Sequence, residues 1–488
     1  MGCLFPPRLS VRMCKPELVT PKTPTPRQKK PLSDIDDQAS LRYQMPGLWF
    51  YQPKTAASKL GNGDDDDPAS LIKDGLAKAL VYFYPLAGRL FEGPNRKLSV
   101  DCNGEGVLFV RAEANLPLRK LGRFVQSPSP YLRKLLHHVP GSDGITGAPL
   151  LLIQVTRFTC GGFALGVRFN HTMVDGYGLA LFLKTVCELA TGALEPSVLP
   201  VWERELLTAA AADSSATTTT QHAVAPTNSK MRFKMLDMEW WASVMVDFEK
   251  MAARPRFFFF PAVLKPILTQ RSFTLTPQDI QAMKDQVLEE GFGKCSTFEV
   301  ICASLWRCRT VGLQLHPDTT VTVTFPSDIR GRSSVTGLTL PRGYYGNGIV
   351  MLSAAANAKV LCESPLSYAI QLIREAKEKL TLDYVKSVLN FMVVNGRPRM
   401  PVARNLLVSD ISRIGLEKVD FGWGNAIYAG GAMAAYGATF LERPASTASV
   451  ESSVLVPIAL PYISMLIFNR EFKKLAMSAS NKPVTPGS

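Results

Sequence analysis

The chain has 488 residues, 46% of them hydrophobic and 20% charged, an ordinary globular composition long enough for two or three domains and a large core. Its net charge is +14, but the cations are scattered and the densest group, PRQKK at 26–30, has no interleaved aromatics, which argues against a nucleic-acid partner. Nine cysteines with no CxxC pair argue against structural zinc and for free thiols in a reducing compartment.

At the N-terminus, MGCLFPPRLSVRMCKPELV lacks the apolar core of a signal peptide, and Pro6 stands where a myristoylation signal wants Ser or Thr. Four aspartates at 64–67 read as a solvated loop. A helix is expected from Ser70, with Ile72, Leu76, Ala79, Leu80 and Phe83 on one face, broken by Pro85 and Gly88. KLSVDC and GVLFVRAE read as paired strands around NGEG at 103–106.

PLLLIQVTRF and GGFALGVRFN form a second expected hairpin turning at Gly161-Gly162, with Phe163, Leu165, Val167 and Phe169 alternating onto one face. HTMVDG at 171–176 follows, then a helix through LALFLKTVCELA that stops at Thr191-Gly192. His171 is therefore expected in a strand-to-helix turn.

Residues 208–229 are low in complexity and poor in large apolar side chains, the composition of a disordered linker. Beyond them Trp241, Val244, Met245, Phe248 and Met251 share one face of a short expected helix. Thr276 caps a helix with Pro277 at its first position, and Ser296 to Glu299 form a capping box before VICASLWRCR. TVTVTF alternates as a strand, Ser364-Pro365 opens another helix, and VDFGWGNAIYAG and SSVLVPIAL suggest late strands. The apolar stretch at 453–468 is broken by Pro457 and Pro461 and too short to span a bilayer, so a soluble cytoplasmic protein is expected. Both halves mix strands and helices.

A neutral imidazole at His171 could take a proton from a hydroxyl. Asp175 could orient that ring as in a triad, or point away and lock the turn, where Gly176 permits a backbone angle that other residues resist. The chain contains no GxSxG, GxGxxG, Walker or HExxH motif. A histidine base without a protein nucleophile points to direct attack of a substrate hydroxyl on an activated acyl group.

HTMVDG together with DFGWG at 420–424, in that order and spacing, resembles the BAHD family of plant acyl-CoA-dependent acyltransferases. Stretches such as KPELVTPKTPTPRQKKPLSDIDDQ, YPLAGRLFEGPNRKLSVDCNGEGVLFV, LPRGYYGN and NGRPRMPVARNLLVSDISRIGLEKVDFGWG are similar to its benzyl alcohol O-benzoyltransferases and related alcohol acyltransferases. The resemblance implies a mixed α/β (α+β) fold of two chloramphenicol-acetyltransferase-like domains with a central solvent channel at their interface. The domains would be 1–207 and 263–488, joined by a crossover at 208–262 that departs from the family in carrying MEWWASVMVDFEKM.

The resemblance further implies that His171 is the general base and that Asp175 is structural, paired with Arg330. Gly176, Asp420, Phe421, Gly422 and Gly424 would be structural too. Trp423 would lie nearer the channel as a candidate oxyanion donor, and Ser296 and Thr297 are candidates for the pantetheine side. The implied activity is ester formation from benzoyl-CoA and benzyl or another small alcohol, with acyl-CoA as co-substrate, no permanent cofactor or metal, and a monomeric chain. The alternatives are an acetyl-CoA-dependent alcohol acyltransferase and a catalytically impaired binding relative.

Overall fold

The computed structural model describes residues 6–54, 67–209, 268–332, 334–395, 397, 404–445 and 452–477. The main elements of the first half are β1 (Val11–Met13), β2 (Glu17–Val19), β3 (Lys29–Pro31), β4 (Gln44–Tyr51), α1 (Pro68–Tyr82), β5 (Arg89–Glu92), β6 (Leu98–Asp101), β7 (Val107–Ala114), β8 (Leu151–Arg157), β9 (Phe163–Asn170) and α2 (Gly176–Ala190). Those of the second half are β10 (Leu268–Leu275), α3 (Pro277–Glu289), α4 (Thr297–Leu313), β11 (Thr320–Asp328), β12 (Ile349–Asn357), α5 (Leu366–Glu378), α6 (Leu382–Val394), β13 (Asn405–Asp410), β14 (Tyr428–Gly431), β15 (Ala438–Leu441), β16 (Val454–Pro461) and α7 (Tyr462–Met477).

The β8–β9 hairpin forms in antiparallel register from Leu151 opposite Phe169 to Arg157 opposite Phe163, with Gly161 at φ +86° in its turn. It lies in a mixed sheet of order β1-β7-β8-β9-β4-β14, with β2 also paired to β7. Both faces of this sheet are covered, which is why its strands read as continuous apolar runs. Trp49 and Tyr51 of β4 join the core under α1 and α2, while Leu48 and Phe50 join a second core with Tyr131 and Leu135. The second half builds a sheet of order β12-β11-β13-β15 and a β10–β16 ribbon around one core that takes in most of α4. The result is a two-lobed α+β architecture.

KLSVDC and GVLFVRAE do not pair with each other. β6 lies between β3 and β5 in a three-stranded sheet, whereas β7 enters the large sheet. The NGEG turn sends the chain from one to the other. Gly104 and Gly106 sit at φ +69° and +92°, and the Gly106 amide donates to the Ala87 carbonyl. A side chain at Gly106 would meet the Val19 carbonyl at 2.4 Å, so the close approach of two backbones requires glycine. α1 starts at Pro68, two residues before the expected Ser70, because the last aspartate of the acidic loop caps it. The Asp67 carboxylate accepts from the Ala69 and Ser70 amides. The expected Thr276 cap and Ser296 capping box are both present, and the Thr276 cap proves to be a full capping box with Asp279.

VDFGWGNAIYAG is mostly turn, and only Tyr428–Gly431 is strand. That strand leaves the second half and pairs with β4, from Tyr428 opposite Phe50 to Gly431 opposite Gly47. Two β4 side chains strap its approach, since Trp49 Nε1 donates to the Leu416 carbonyl and the Tyr51 hydroxyl to that of Val419. The apolar stretch at 453–468 forms β16 and the start of α7, and among the described residues no helix is long and apolar enough to cross a membrane. All but residues 208 and 209 of the expected crossover at 208–262, including the helix around Trp241, lie outside the described residues.

Candidate active site

β9 ends at Asn170, and the apolar pull of its side chains on both faces delivers His171 to the junction of the two halves. The His171 amide donates to the Tyr43 carbonyl at 3.0 Å. Its ring sits between Tyr43 and Phe169, with centroids 5.3 and 5.8 Å away. The turn then closes on Asp175, which caps α2 by accepting from the Gly178 amide at 2.9 Å. Gly178 must be glycine, because a Cβ there would lie 2.0 Å from the Tyr345 carbonyl oxygen.

Asp175 faces away from the imidazole and toward the second half. Its other oxygen accepts from Arg330 Nη1 at 2.9 Å and from the Gly348 amide at 3.0 Å. Arg330 also donates to the Gly346 carbonyl at 2.6 Å and to Asp328 at 3.1 Å. The pair thus ties the histidine turn to the loop 344–348, and the geometry favours the turn-locking role of Asp175 over the triad role. Gly176 abuts Ile414, whose Cδ1 lies 2.7 Å from where a Cβ would stand.

A second buried ion pair holds the same turn, and sequence reasoning assigned it no role. Arg204 Nη1 donates to both oxygens of Asp36 at 2.9 Å, and its Nη2 donates to the Met173 carbonyl at 2.8 Å. Asn347 donates from its backbone and its side chain to Asp36, and from the same amide nitrogen to the His171 carbonyl at 2.9 Å. The only signal was local: acids in SDIDDQ directly after Leu32, and a polar Asn at the end of LPRGYYGN.

Burial lowers the His171 pKa below the ordinary histidine value. Its own backbone, Asp175, Asn347 and Asp36 oppose that only in part. The imidazole is therefore neutral near pH 7 and able to accept a proton. Nδ1 is buried, beside the Asn347 amide. His171 is half-buried on the wall of a cavity of about 600 Å³ whose apolar lining comes from both halves, with Met45 and Phe169 on one side and Phe298, Phe325, Ile349 and Phe440 on the other. A larger cavity of about 940 Å³ shares Phe298, Asp410 and Arg413 with it. Its cations Lys284, Arg413, Lys418 and Arg443 outnumber the acids Asp410 and Glu417.

Thr297 lines the larger cavity, where Lys284 donates to its hydroxyl at 3.0 Å, but Ser296 is spent on capping α4 and lines neither cavity. No residue of DFGWG lines the His171 cavity. The Asp420 carboxylate accepts from the Gly422 and Gly424 amides, both 2.8 Å, and both glycines lie at positive φ. Phe421 packs edge-on against Tyr51. Trp423 departs from the position the resemblance implied. It packs edge-on against Phe163, under the Lys54 ammonium 4.1 Å from its ring, and lines neither cavity. Among the described residues no group of His, Cys, Asp or Glu is placed to hold a metal ion.

The Transferase family profile matches residues 9–475. Alcohol acyltransferase 17 of Actinidia deliciosa is 41% identical over 474 residues, 96% of this chain and 95% of that protein. A benzyl alcohol O-benzoyltransferase of Petunia hybrida is 40% identical over 470 residues, 96% of this chain and 94% of that protein. The expected leaning toward the benzoyltransferase is thus not reproduced, since the alcohol acyltransferase is equally similar. In fold, the crystal structure of vinorine synthase superposes with a TM-score of 0.67 at 22% identity, covering 96% of this chain and 98% of that one. The F. graminearum TRI101 structure with coenzyme A and T-2 mycotoxin gives 0.66 at 13% identity, covering 92% and 98%.

Proposed function

Because the chain belongs to the Transferase family, the BAHD acyl-CoA-dependent plant acyltransferases, we propose that it acylates a small alcohol by direct transfer with His171 as general base, benzoyl-CoA and benzyl alcohol being the preferred pair. It is an acyl-CoA-dependent, ester-forming acyltransferase, and acyl-CoA is its co-substrate. The observation that carries the mechanism is the placement of the His171 imidazole, its pKa lowered by burial, on the wall of an apolar cavity built from both halves. The volume suits a small-molecule site, for which ~300–1,000 Å³ is usual.

In this reading the alcohol enters beside His171. Nδ1 faces protein, which leaves Nε2 for the substrate. Nε2 takes the hydroxyl proton as the oxygen attacks the thioester carbonyl. The tetrahedral intermediate collapses, the C–S bond breaks, and the thiolate recovers the proton from the imidazolium. The product is an ester and free CoA, with no covalent enzyme intermediate. The larger cavity with its cations supports a place for the CoA phosphates, which makes the two cavities one passage meeting at Phe298, Asp410 and Arg413. The aromatic side chains Phe298, Phe325 and Phe440 support an aryl acyl or alcohol group. Trp423 lines neither cavity, so this reading assigns it no oxyanion contact.

The test is thiol release from benzoyl-CoA and acetyl-CoA with benzyl, aliphatic and other small alcohols, beside a His171→Ala control. Alcohol-dependent release, greatest with benzoyl-CoA and benzyl alcohol and lost in the control, is expected. Faster release with acetyl-CoA would overturn the donor assignment. Release that survives in the control would overturn the base.

A further inference from the structure

Glu442 follows β15 and is 1% exposed, yet no described lysine or arginine pairs with it. Arg443, its neighbour in the chain, turns away to the Ser412 carbonyl at 2.8 Å and to Glu417. Three groups meet the Glu442 carboxyl and its phenol partner. Oε1 accepts from the Gly431 amide at 3.0 Å, and Oε2 lies 2.5 Å from the Tyr428 hydroxyl oxygen. That hydroxyl oxygen also lies 2.7 Å from the Gly431 carbonyl oxygen and accepts from the Ser127 amide at 3.0 Å. Among the described residues, Tyr428, on β14, is the titratable group that acts on the carboxyl.

A tyrosine hydroxyl has one hydrogen. With Glu442 ionised, that hydrogen serves either the carboxylate or the Gly431 carbonyl, and the other acceptor faces an oxygen lone pair at close range. With Glu442 neutral, the carboxyl, the phenol and the Gly431 amide and carbonyl are all matched. The acid O–H donates to Tyr428, Tyr428 donates to the Gly431 carbonyl and accepts from Ser127, and the Gly431 N–H goes to the second carboxyl oxygen. A buried polar cluster strongly favours the fully matched state.

The cluster stands behind a working surface. Gly430 and Gly431 line the His171 cavity, and Gly431 pairs with Gly47 of β4, itself a lining residue on the strand beside β9. A Cβ at Gly431 would lie 2.7 Å from Glu442 Oε1, and one at Gly430 would lie 3.0 Å from the Glu442 carboxyl carbon. The carboxyl therefore fills the space behind a wall made of bare backbone. We propose that Glu442 is held as a neutral carboxylic acid and is a positioning residue for the transfer: it clamps the Gly430–Gly431 wall of the His171 cavity against β4, and its ionisation releases the wall. The rate effect rests on the reading of His171 as base, but the protonation state does not. Burial pushes the Glu442 carboxyl up to about 8, with the Tyr428 hydroxyl and the Gly431 amide pulling part of the way back.

Two measurements test this on the full chain. The first is the infrared difference spectrum between wild type and Glu442→Gln at pH 7, in which a protonated-carboxyl band is expected in the wild type and absent from the variant. The second is the pH profile of kcat/KM. Wild-type activity is expected to fall roughly tenfold per pH unit above pH 8. Glu442→Gln, whose amide can donate to Tyr428 and accept from Gly431, is expected to lose that alkaline limb, while Glu442→Ala is impaired at every pH. No difference band, or the same alkaline limb in wild type and Glu442→Gln, overturns the proposal. Should the Gln variant not fold, Tyr428→Phe serves: the carboxyl band must shift when its proton loses its acceptor, and an unmoved band overturns the proposal. A band with no transfer for any substrate pair would instead count against the base assignment alone.

Discussion

Asp175→Asn separates a locked turn from a catalytic triad. The carboxylate serves three donors, with one oxygen on the Gly178 amide and the other on Arg330 and the Gly348 amide. An asparagine has one acceptor oxygen, so one side must face an NH₂ group. Keeping the oxygen on Arg330 and Gly348 loses the helix cap, which costs about 1 kcal/mol. The charge is lost in either orientation. Removing one member of a buried ion pair costs roughly 3–5 kcal/mol, but Arg330 keeps Asp328 at 3.1 Å and the Gly346 carbonyl, which places the loss near the low end. The expected total is about 3–4 kcal/mol. It is read as the drop in urea midpoint at constant slope, with kcat/KM measured under native conditions. An Asp175→Asn/Arg330→Met double-mutant cycle should recover much of the loss as coupling between residues 155 apart in sequence. The turn-locking role is refuted if Asp175→Asn keeps wild-type stability yet loses as much activity as His171→Ala, because that pattern belongs to a group acting in proton transfer.

His171→Ala should lower kcat by roughly 10²–10⁴-fold with little change in unfolding midpoint. Because burial lowers its pKa, the acid limb of kcat/KM should lie below the ordinary 6.5, and a limb at or above that value would contradict the burial argument. Glu299 is buried, but Lys377, the Ser296 amide and Arg374 outweigh that and hold its carboxyl at about 2 against an ordinary 4.5. Its folded pKa is depressed, so its contribution, about 3 kcal/mol, is present above 4.5 and lost as pH falls toward 2. Glu299→Gln should therefore have a lower urea midpoint at pH 7 and a flatter acid dependence than wild type. Gly178→Ala should cost at least about 1–3 kcal/mol in thermal unfolding, since its Cβ meets a backbone carbonyl that cannot yield.

What was legible in the sequence is what neighbours in the chain decide. The β9 run, the turn after it, the Thr276 cap and the Ser296 capping box are all local, and each stands where the residues pointed. The KLSVDC–GVLFVRAE pairing failed for a non-local reason. NGEG was rightly a turn, but its destination depends on the Val19 and Ala87 carbonyls, which no pattern within 97–113 announces. The second clamp on the histidine turn was hidden likewise, because Asp36 meets Arg204 from 168 positions away and Asn347 from 311. Trp423 was misplaced because a motif's spacing says which residues travel together, not which of them faces a cavity. The indole is drawn into the first-half core, where it meets Phe163 edge to face and the Lys54 ammonium over its ring.

If His171 is the base proposed above, the two clamps also bear on how its imidazole is kept neutral. Asp175 and Asp36 each favour protonated His171, and a lone carboxylate at such a place would raise the imidazole pKa and fill the base with a proton before substrate arrives. Each aspartate is instead paired with its own buried arginine, Arg330 and Arg204, so the imidazole sees two near-neutral units rather than two anions. Desolvation then dominates, and the imidazole stays below the ordinary histidine value. The same arginines donate to the Met173 carbonyl within the turn and to the Gly346 carbonyl of the loop packed against it, so one set of contacts bears on the ring's position and its protonation state together. Since Arg330 and Asn347 come from the second half and Asp36 and Arg204 from the first, a competent His171 requires both halves to be docked.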